Sequence, residues 1–316
     1  MIGNLSIDNN SIIKFCEQFN YKTNLTPSSD TKILINSIEP IELASKNSLS
    51  FCRFDDERAK KWIQESTAEI LILPNSLMES DFLKNSSTYI FAEIPRLALL
   101  NLINLFWTSP SSDGYLEGNP SIHPTAIIGD NVTIGMFSVI GPYVEIGNNT
   151  IIGNNTSIKN TVIGINCKIG NSVSIGEDGF GFEDLEETNE IISFPHIGGV
   201  KIGNDVRIGS STCIDRGSIG DTIIKDKVKI DNLVHVAHNV IIDDGAKIVA
   251  MTIIGGSTKI GSKTWVAPGT SLRDWITIGK NSLIGLGAVV TKNVDDETSV
   301  IGNPAKPIIK TNKRYR

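Results

Sequence analysis

Histidine is scarce in this sequence, four residues in 316, and its placement is the first chemical signal. His123 and His196 stand apart, whereas His235 and His238 share the stretch IDNLVHVAHNV. An imidazole titrates near neutrality, so it is the side chain best suited to take a proton from an attacking group. Gly256, in IIGGSTK, follows His238 by 18 residues and leaves its backbone N–H unobstructed. A base beside a bare amide donor is the pair that acyl transfer requires: the base deprotonates the nucleophile and the amide stabilises the developing oxyanion. Asp231, seven residues before His238, is the carboxylate at a comparable level that could orient the ring. Each has a plainer reading too, as a surface histidine, a corner glycine and a solvated carboxylate. Cys16, Cys52, Cys167 and Cys213 are scattered and form no CxxC pair, which points to reduced thiols rather than a zinc site or a disulfide framework.

Those 18 residues matter only if the chain repeats, and it does. From Ile122 an aliphatic residue returns at every sixth position through Ile128, Ile134, Ile140, Ile146, Ile152 and Ile158. After one step of five the series resumes at Ile163, Ile169 and Ile175, returns at Ile202, Ile208 and Ile214, and runs again from Ile224 to Val290. Neither a helix nor an ordinary strand has a period of six. Gly129, Gly135, Gly141 and Gly147 follow their aliphatic residues, and Val132, Ser138, Val144 and Thr150 stand four places after them. This is hexapeptide β-helix grammar, one short strand and one turn per hexad with the aliphatic side chain inward. Three hexads close a triangular coil of about 18 residues, so residue i lies beside residue i+18 and His238 beside Gly256. Seven or eight coils at roughly 4.8 Å each make a prism about 35 Å tall. The expected fold is therefore mainly β: a left-handed parallel β-helix with a small N-terminal α/β domain, the hand being that of the known hexapeptide family.

Other regions frame the prism. Residues 1–107 lack the repeat and alternate helical patterns (Ser11 to Phe19, Asp55 to Glu65, Arg96 to Trp107) with apolar runs such as Lys32 to Ile38, Ser48 to Arg53, Ala68 to Pro74 and Thr88 to Ala92. They read as a small α/β domain, followed by a Ser-, Gly- and Pro-rich linker at 108–120. The helix is expected over 121–300, with a tail at 301–316. Inside it, residues 177–199 carry no hexad signal and read as an extruded loop, either a functional flap or a tolerated insertion. Its segment Gly179-Phe180-Gly181-Phe182 either offers a ligand an aromatic surface or plugs the wall. A formal charge of −6 argues against a nucleic-acid partner. No run approaches the roughly 18 apolar residues of a membrane span and the N-terminus lacks a signal-peptide pattern, so a cytoplasmic location is expected.

The stretches NSLSFCRF, EDGFGF, IGSSTCIDRGSIGDTIIKDKVKIDNLVHVAHNV and Gly255-Gly256 together resemble the UDP-3-O-acylglucosamine N-acyltransferases of lipid A synthesis, the LpxD-type enzymes, over residues 10 to 290. The resemblance implies a homotrimer with active sites between neighbouring prisms, and a nucleotide-binding-like role for the domain at 1–107, which would help hold the nucleotide of the substrate. It carries the general base over to His238, the oxyanion glycine to Gly256 and the family's preceding aspartate to Asp231. Phe51 matches an aromatic that stacks on uracil, and Gly179 and Phe180 are further substrate-binding candidates. The chain departs from the family at Glu57, where a second clamp aromatic would lie with only Phe54 nearby, and around Arg273 to Trp275, where a family histidine is replaced. Its ending, VIGNPAKPI, is similar to that of coenzyme A-dependent sugar acetyltransferases.

The function these residues imply is N-acyl transfer from a thioester, acyl-CoA or acyl carrier protein, to the amine of a nucleotide-linked amino sugar in surface glycan or lipopolysaccharide synthesis. LpxD activity proper is the alternative within that class. No cofactor or metal is expected, the acyl thioester being a co-substrate. A zinc carbonic anhydrase on the same architecture would need three histidines around one cleft, which His235 and His238 alone do not supply. A non-catalytic trimeric scaffold that binds sugar nucleotides is the third reading, distinguished by binding without thioester consumption.

Overall fold

The computed structural model describes residues 5–27, 32–84, 87–106, 119–185 and 189–307. Most of the expected linker, Trp107 and residues 308–316 of the expected tail lie outside them. The chain divides into two compact units, Met1–Gly114 and Tyr115–Arg316.

The first unit is α/β. Its five-stranded sheet runs Lys22–Thr23, Thr88–Ala92, Ile70–Pro74, Ser48–Phe51, Ser37–Ile38, parallel except for the first pair. Ile70, Leu71, Ile72 and Leu73 are all inaccessible, because this central strand is covered on both faces. Alternate residues feed two cores, Ile70 and Ile72 with helices Asn9–Gln18 and Pro95–Phe106, Leu71 and Leu73 with helix Glu57–Glu65. Asp8 caps the first helix by accepting from Ser11 N at 2.8 Å, and Asp56 caps the second from Arg58 N and Ala59 N.

The second unit is the left-handed parallel β-helix. Three sheets of ten, nine and eight strands form its faces. The face that begins at Ser121–Ile122 thus carries nine rungs, one or two more than the hexad count implied. Within the regular coils the register is 18 residues, as in Val139 with Ser157 and His235 with Ile253. The single five-residue step at Ile163 shortens one coil, pairing Ser157 with Ser174. Two coils are longer: Ser174 pairs with Cys213 across the insertion, and Cys213 pairs with His235.

The inward Ile and Val columns are almost wholly buried from Ile140 to Val300. Each such side chain contributes roughly 1.5–3 kcal/mol of burial free energy, which is how two-residue strands hold together. Corners need a left-handed residue, and Asn131, Asn149, Asn155 and Asn166 supply it at φ 55 to 59°. Asparagine and aspartate side chains also tie corners together between coils: Asn148 Oδ1 accepts from Asp130 N at 2.9 Å, Asn154 Oδ1 from Met136 N at 3.0 Å and Asp226 Oδ1 from Asn204 N at 2.7 Å. An antiparallel pair, Ser299–Ile301 with Lys306–Pro307, closes the stack. Among the described residues no helix is long and apolar enough to cross a membrane.

Candidate active site

His238 sits at the corner after strand His235–Val236, and its backbone carbonyl accepts from Ser257 N of the next coil at 2.9 Å. A Cβ built on Gly256 would lie 2.8 Å from both Cε1 and Nε2 of His238, so only glycine lets the imidazole lie against this peptide. The corner amide that an Asn or Asp side chain occupies at Asp130, Met136 and Asn204 finds no acceptor at Gly256 among the described residues. That leaves one donor beside the ring for an incoming oxygen.

Asn239 sets the tautomer. Its Oδ1 accepts from Ser218 N at 3.1 Å and from Ser218 Oγ at 2.7 Å, while its Nδ2 donates to Gly220 O at 2.9 Å. The amide orientation is therefore fixed, and His238 Nδ1, 3.0 Å from the same Oδ1, must be the protonated nitrogen. Nε2 is left with its lone pair free on the side of Gly256. A base whose second nitrogen is held by an orienting group is the arrangement general-base catalysis uses.

Asp231 is not that orienting group. It opens the corner on the other side of strand His235–Val236, and its Oδ1 accepts from Asn232 Nδ2 at 2.9 Å. The carboxylate that faces the imidazoles is Asp215, whose Oδ2 lies 3.7 Å from His235 Nε2. Burial pushes its carboxyl above the ordinary carboxylate range, against the pull of His235, His238 and His196. His196 comes from the insertion, is 7% exposed, and stands edge-on to His238 with ring centroids 5.7 Å apart.

The insertion leaves and rejoins the wall beside this cluster. Arg216 Nε donates to Gly198 O at 2.6 Å and its Nη1 lies 3.7 Å from Asp178 Oδ1, so one guanidinium fastens both arms. Strands Phe182–Leu185 and Glu190–Ser193 pair antiparallel beyond. Phe180 is 86% exposed and meets Phe182 edge-on at 4.9 Å, so it does not plug the wall. Gly179 lies against the cluster: a Cβ there would meet His196 Nε2 and His238 Cδ2 at 3.2 Å and Asp215 Oδ2 at 3.3 Å. Cys213 lies in register with His235 on the outer face, and burial raises its thiol, the opposite of an activated nucleophile. Among the described residues no group of His, Cys, Asp and Glu could hold a metal.

In the first unit, Phe51 lines a cavity of about 410 Å³ with Ile41, Arg53, Phe54, Trp62 and Arg96. Phe54 lies at 6.2 Å from Trp62, and the guanidinium carbons of Arg53 and Arg58 stand 4.9 and 4.8 Å from its ring centroid. Glu57 does not line this cavity; it borders a separate acidic hollow with Asp55, Asp56 and Asp81.

Residues 125–160 match the family model of the bacterial transferase hexapeptide (six repeats). A UDP-3-O-acylglucosamine N-acyltransferase of Methylacidiphilum infernorum is 38% identical over 309 residues, covering 90% of this chain and 84% of the relative. The chain belongs to the UDP-3-O-acylglucosamine N-acyltransferase family. Another member, UDP-3-O-acylglucosamine N-acyltransferase 2 of Legionella pneumophila (strain Paris), is 42% identical over a shorter stretch, 45% of this chain and 41% of the relative. Matches of this shorter kind span about two fifths of such N-acyltransferases' length. Among solved structures, LpxA of Acinetobacter baumannii shares the β-helix at a TM-score of 0.54 and 26% identity, over 60% of this chain and 71% of that one.

Sequence reasoning missed three residues of this candidate site: Asp215, Asn239 and His196. The first lies in TCIDRG, part of the stretch that carries the family resemblance, and that was the available signal for it. Asn239 follows His238 directly in AHN. Nothing in the sequence ties His196, 42 positions upstream of His238, to the site.

Proposed function

We propose that this chain transfers an acyl group from a thioester to the amine of a nucleotide-linked amino sugar, with His238 as general base. The observation that carries this reading is the contact of the His238 Cε1–Nε2 edge with Gly256, whose N–H has no acceptor among the described residues. The amine attacks the thioester carbonyl, Nε2 takes the amine proton as the C–N bond forms, and the Gly256 N–H donates to the oxyanion. Collapse of the tetrahedral intermediate expels the thiolate, which leaves as thiol after taking back the proton. No covalent enzyme intermediate is needed.

Two further supports concern the substrate. The Phe51 cavity offers aromatic faces and two arginines within one unit, which suits a nucleobase and the phosphates attached to it. The relatives in Methylacidiphilum infernorum and Legionella pneumophila are UDP-3-O-acylglucosamine N-acyltransferases, which supports UDP-3-O-acylglucosamine as the acceptor. The donor is acyl carrier protein or coenzyme A, and the active assembly is a homotrimer. The deciding experiment incubates purified protein with UDP-3-O-acylglucosamine, or with other nucleotide amino sugars, and acyl thioesters of either carrier, read by mass spectrometry. Amide product that depends on His238 supports the reading. Absence of product with every pair while the nucleotide sugar still binds favours the scaffold instead.

A further inference from the structure

His196 Nδ1 lies 3.1 Å from Phe194 O, and a carbonyl can only accept, so Nδ1 carries the hydrogen. The neutral ring therefore presents a bare lone pair at Nε2. That atom is buried and has no hydrogen-bond partner among the described residues. A buried acceptor left without a donor destabilises the fold, and such a group calls for an explanation.

Its surroundings supply one. His196 Nε2, Asp215 Oδ2 and His238 Cδ2 all lie within 3.3 Å of a single point, the position of a Cβ on Gly179, so no two are farther apart than twice that distance. The bare nitrogen and the carboxylate thus stand together near Cδ2 of His238, across the ring from the protonated Nδ1.

We propose that His196 is a positioning residue that acts through His238: with Asp215 it stabilises the imidazolium formed when His238 takes the amine proton. This rests on His238 being the general base. A nitrogen lone pair and a carboxylate beside an imidazole favour its charged form, more so where water is excluded. The unpaired acceptor is then a cost in the resting protein that is recovered in the transition state, when positive charge appears on the neighbouring ring. The other titratable and charged groups of the neighbouring elements are His235 on the preceding strand, Asp178 held on Arg216, and Asp274 with Arg273 two coils above; none is altered in the test.

The test compares His196→Phe, which keeps a ring and removes both nitrogens, with His196→Gln, which keeps an acceptor oxygen. Histidine NMR titration of the resting protein reads the pKa of His238 directly, and kcat/KM against pH reads it in turnover. In His196→Phe both should move down by about 0.5–1 pH unit, with kcat falling more than KM changes; His196→Gln should recover at least half of the shift. Gly179→Ala, which wedges a methyl between the three groups, should move His238 in the same direction and serves if His196→Phe does not fold. Unmoved titration in the folded variants, or equal shifts for phenylalanine and glutamine, overturns the proposal. The NMR arm needs no substrate, so it stands or falls separately from the acyl-transfer reading, which His238→Ala turnover decides.

Discussion

At the scale of single residues, His238 and Gly256 were legible in the sequence because the hexad period converts an 18-residue spacing into adjacency. His238→Ala is expected to lower kcat by roughly 10²–10⁴, measured by product formation with the fold checked by circular dichroism. Gly256→Ala places a methyl 2.8 Å from the imidazole, so the ring must move. A displacement near 1 Å costs on the order of 100-fold in turnover, with little change in thermal stability. Asp215 and Asn239 were not legible, for one reason. Asp215 itself, and the Ser218 and Gly220 that hold Asn239, lie in the coil between Cys213 and His235, where the period fails and counting residues no longer gives position. Asp215 carries a stability prediction of its own. Its folded carboxyl is raised by burial, so between the ordinary value of 3.8 and the raised one the folded state holds more protons, and stability falls as pH rises through that window. Asp215→Asn should therefore unfold at a higher temperature than the wild type at neutral pH, lose that advantage near pH 4, and be impaired in turnover. A thermal scan across pH measures both limbs.

At the scale of elements, the repeat and the N-terminal alternation announced nearly every strand and helix, since burial on one side or both dictates the pattern. The strand Ile70–Pro74 read as a continuous apolar run because helices cover both of its faces. The hairpin Phe182–Leu185 with Glu190–Ser193 was not foreseen: its exposed Ile191 and Ile192 break the inward–outward alternation that sequence reading depends on. In the coils, each strand pairs only with the rungs directly above and below it, so damage should stay local but costly. Ile254→Ala, at a wholly buried position one coil above Val236, is expected to remove about 2–5 kcal/mol, read from the denaturant midpoint.

At the scale of the whole molecule, the first unit holds the Phe51 cavity proposed for the nucleobase. Phe51→Ala should raise KM for the nucleotide sugar about tenfold, the loss of one aromatic stacking contact, with kcat little changed, because stacking on a base far from the reacting bond holds ground state and transition state alike. Sedimentation equilibrium should give a mass three times that of the chain, the proposed trimer. Gly199 N donates to Asp221 Oδ1 and Val200 N to Asn160 O at 2.8 and 2.9 Å, so the excursion at 177–199 returns to the strand it would have entered without it. Length and composition beyond that anchored stem are thereby uncoupled from the rungs above and below. Transplanting a foreign hairpin onto the same stem should therefore leave the proposed proton-transfer apparatus at Asn239 intact.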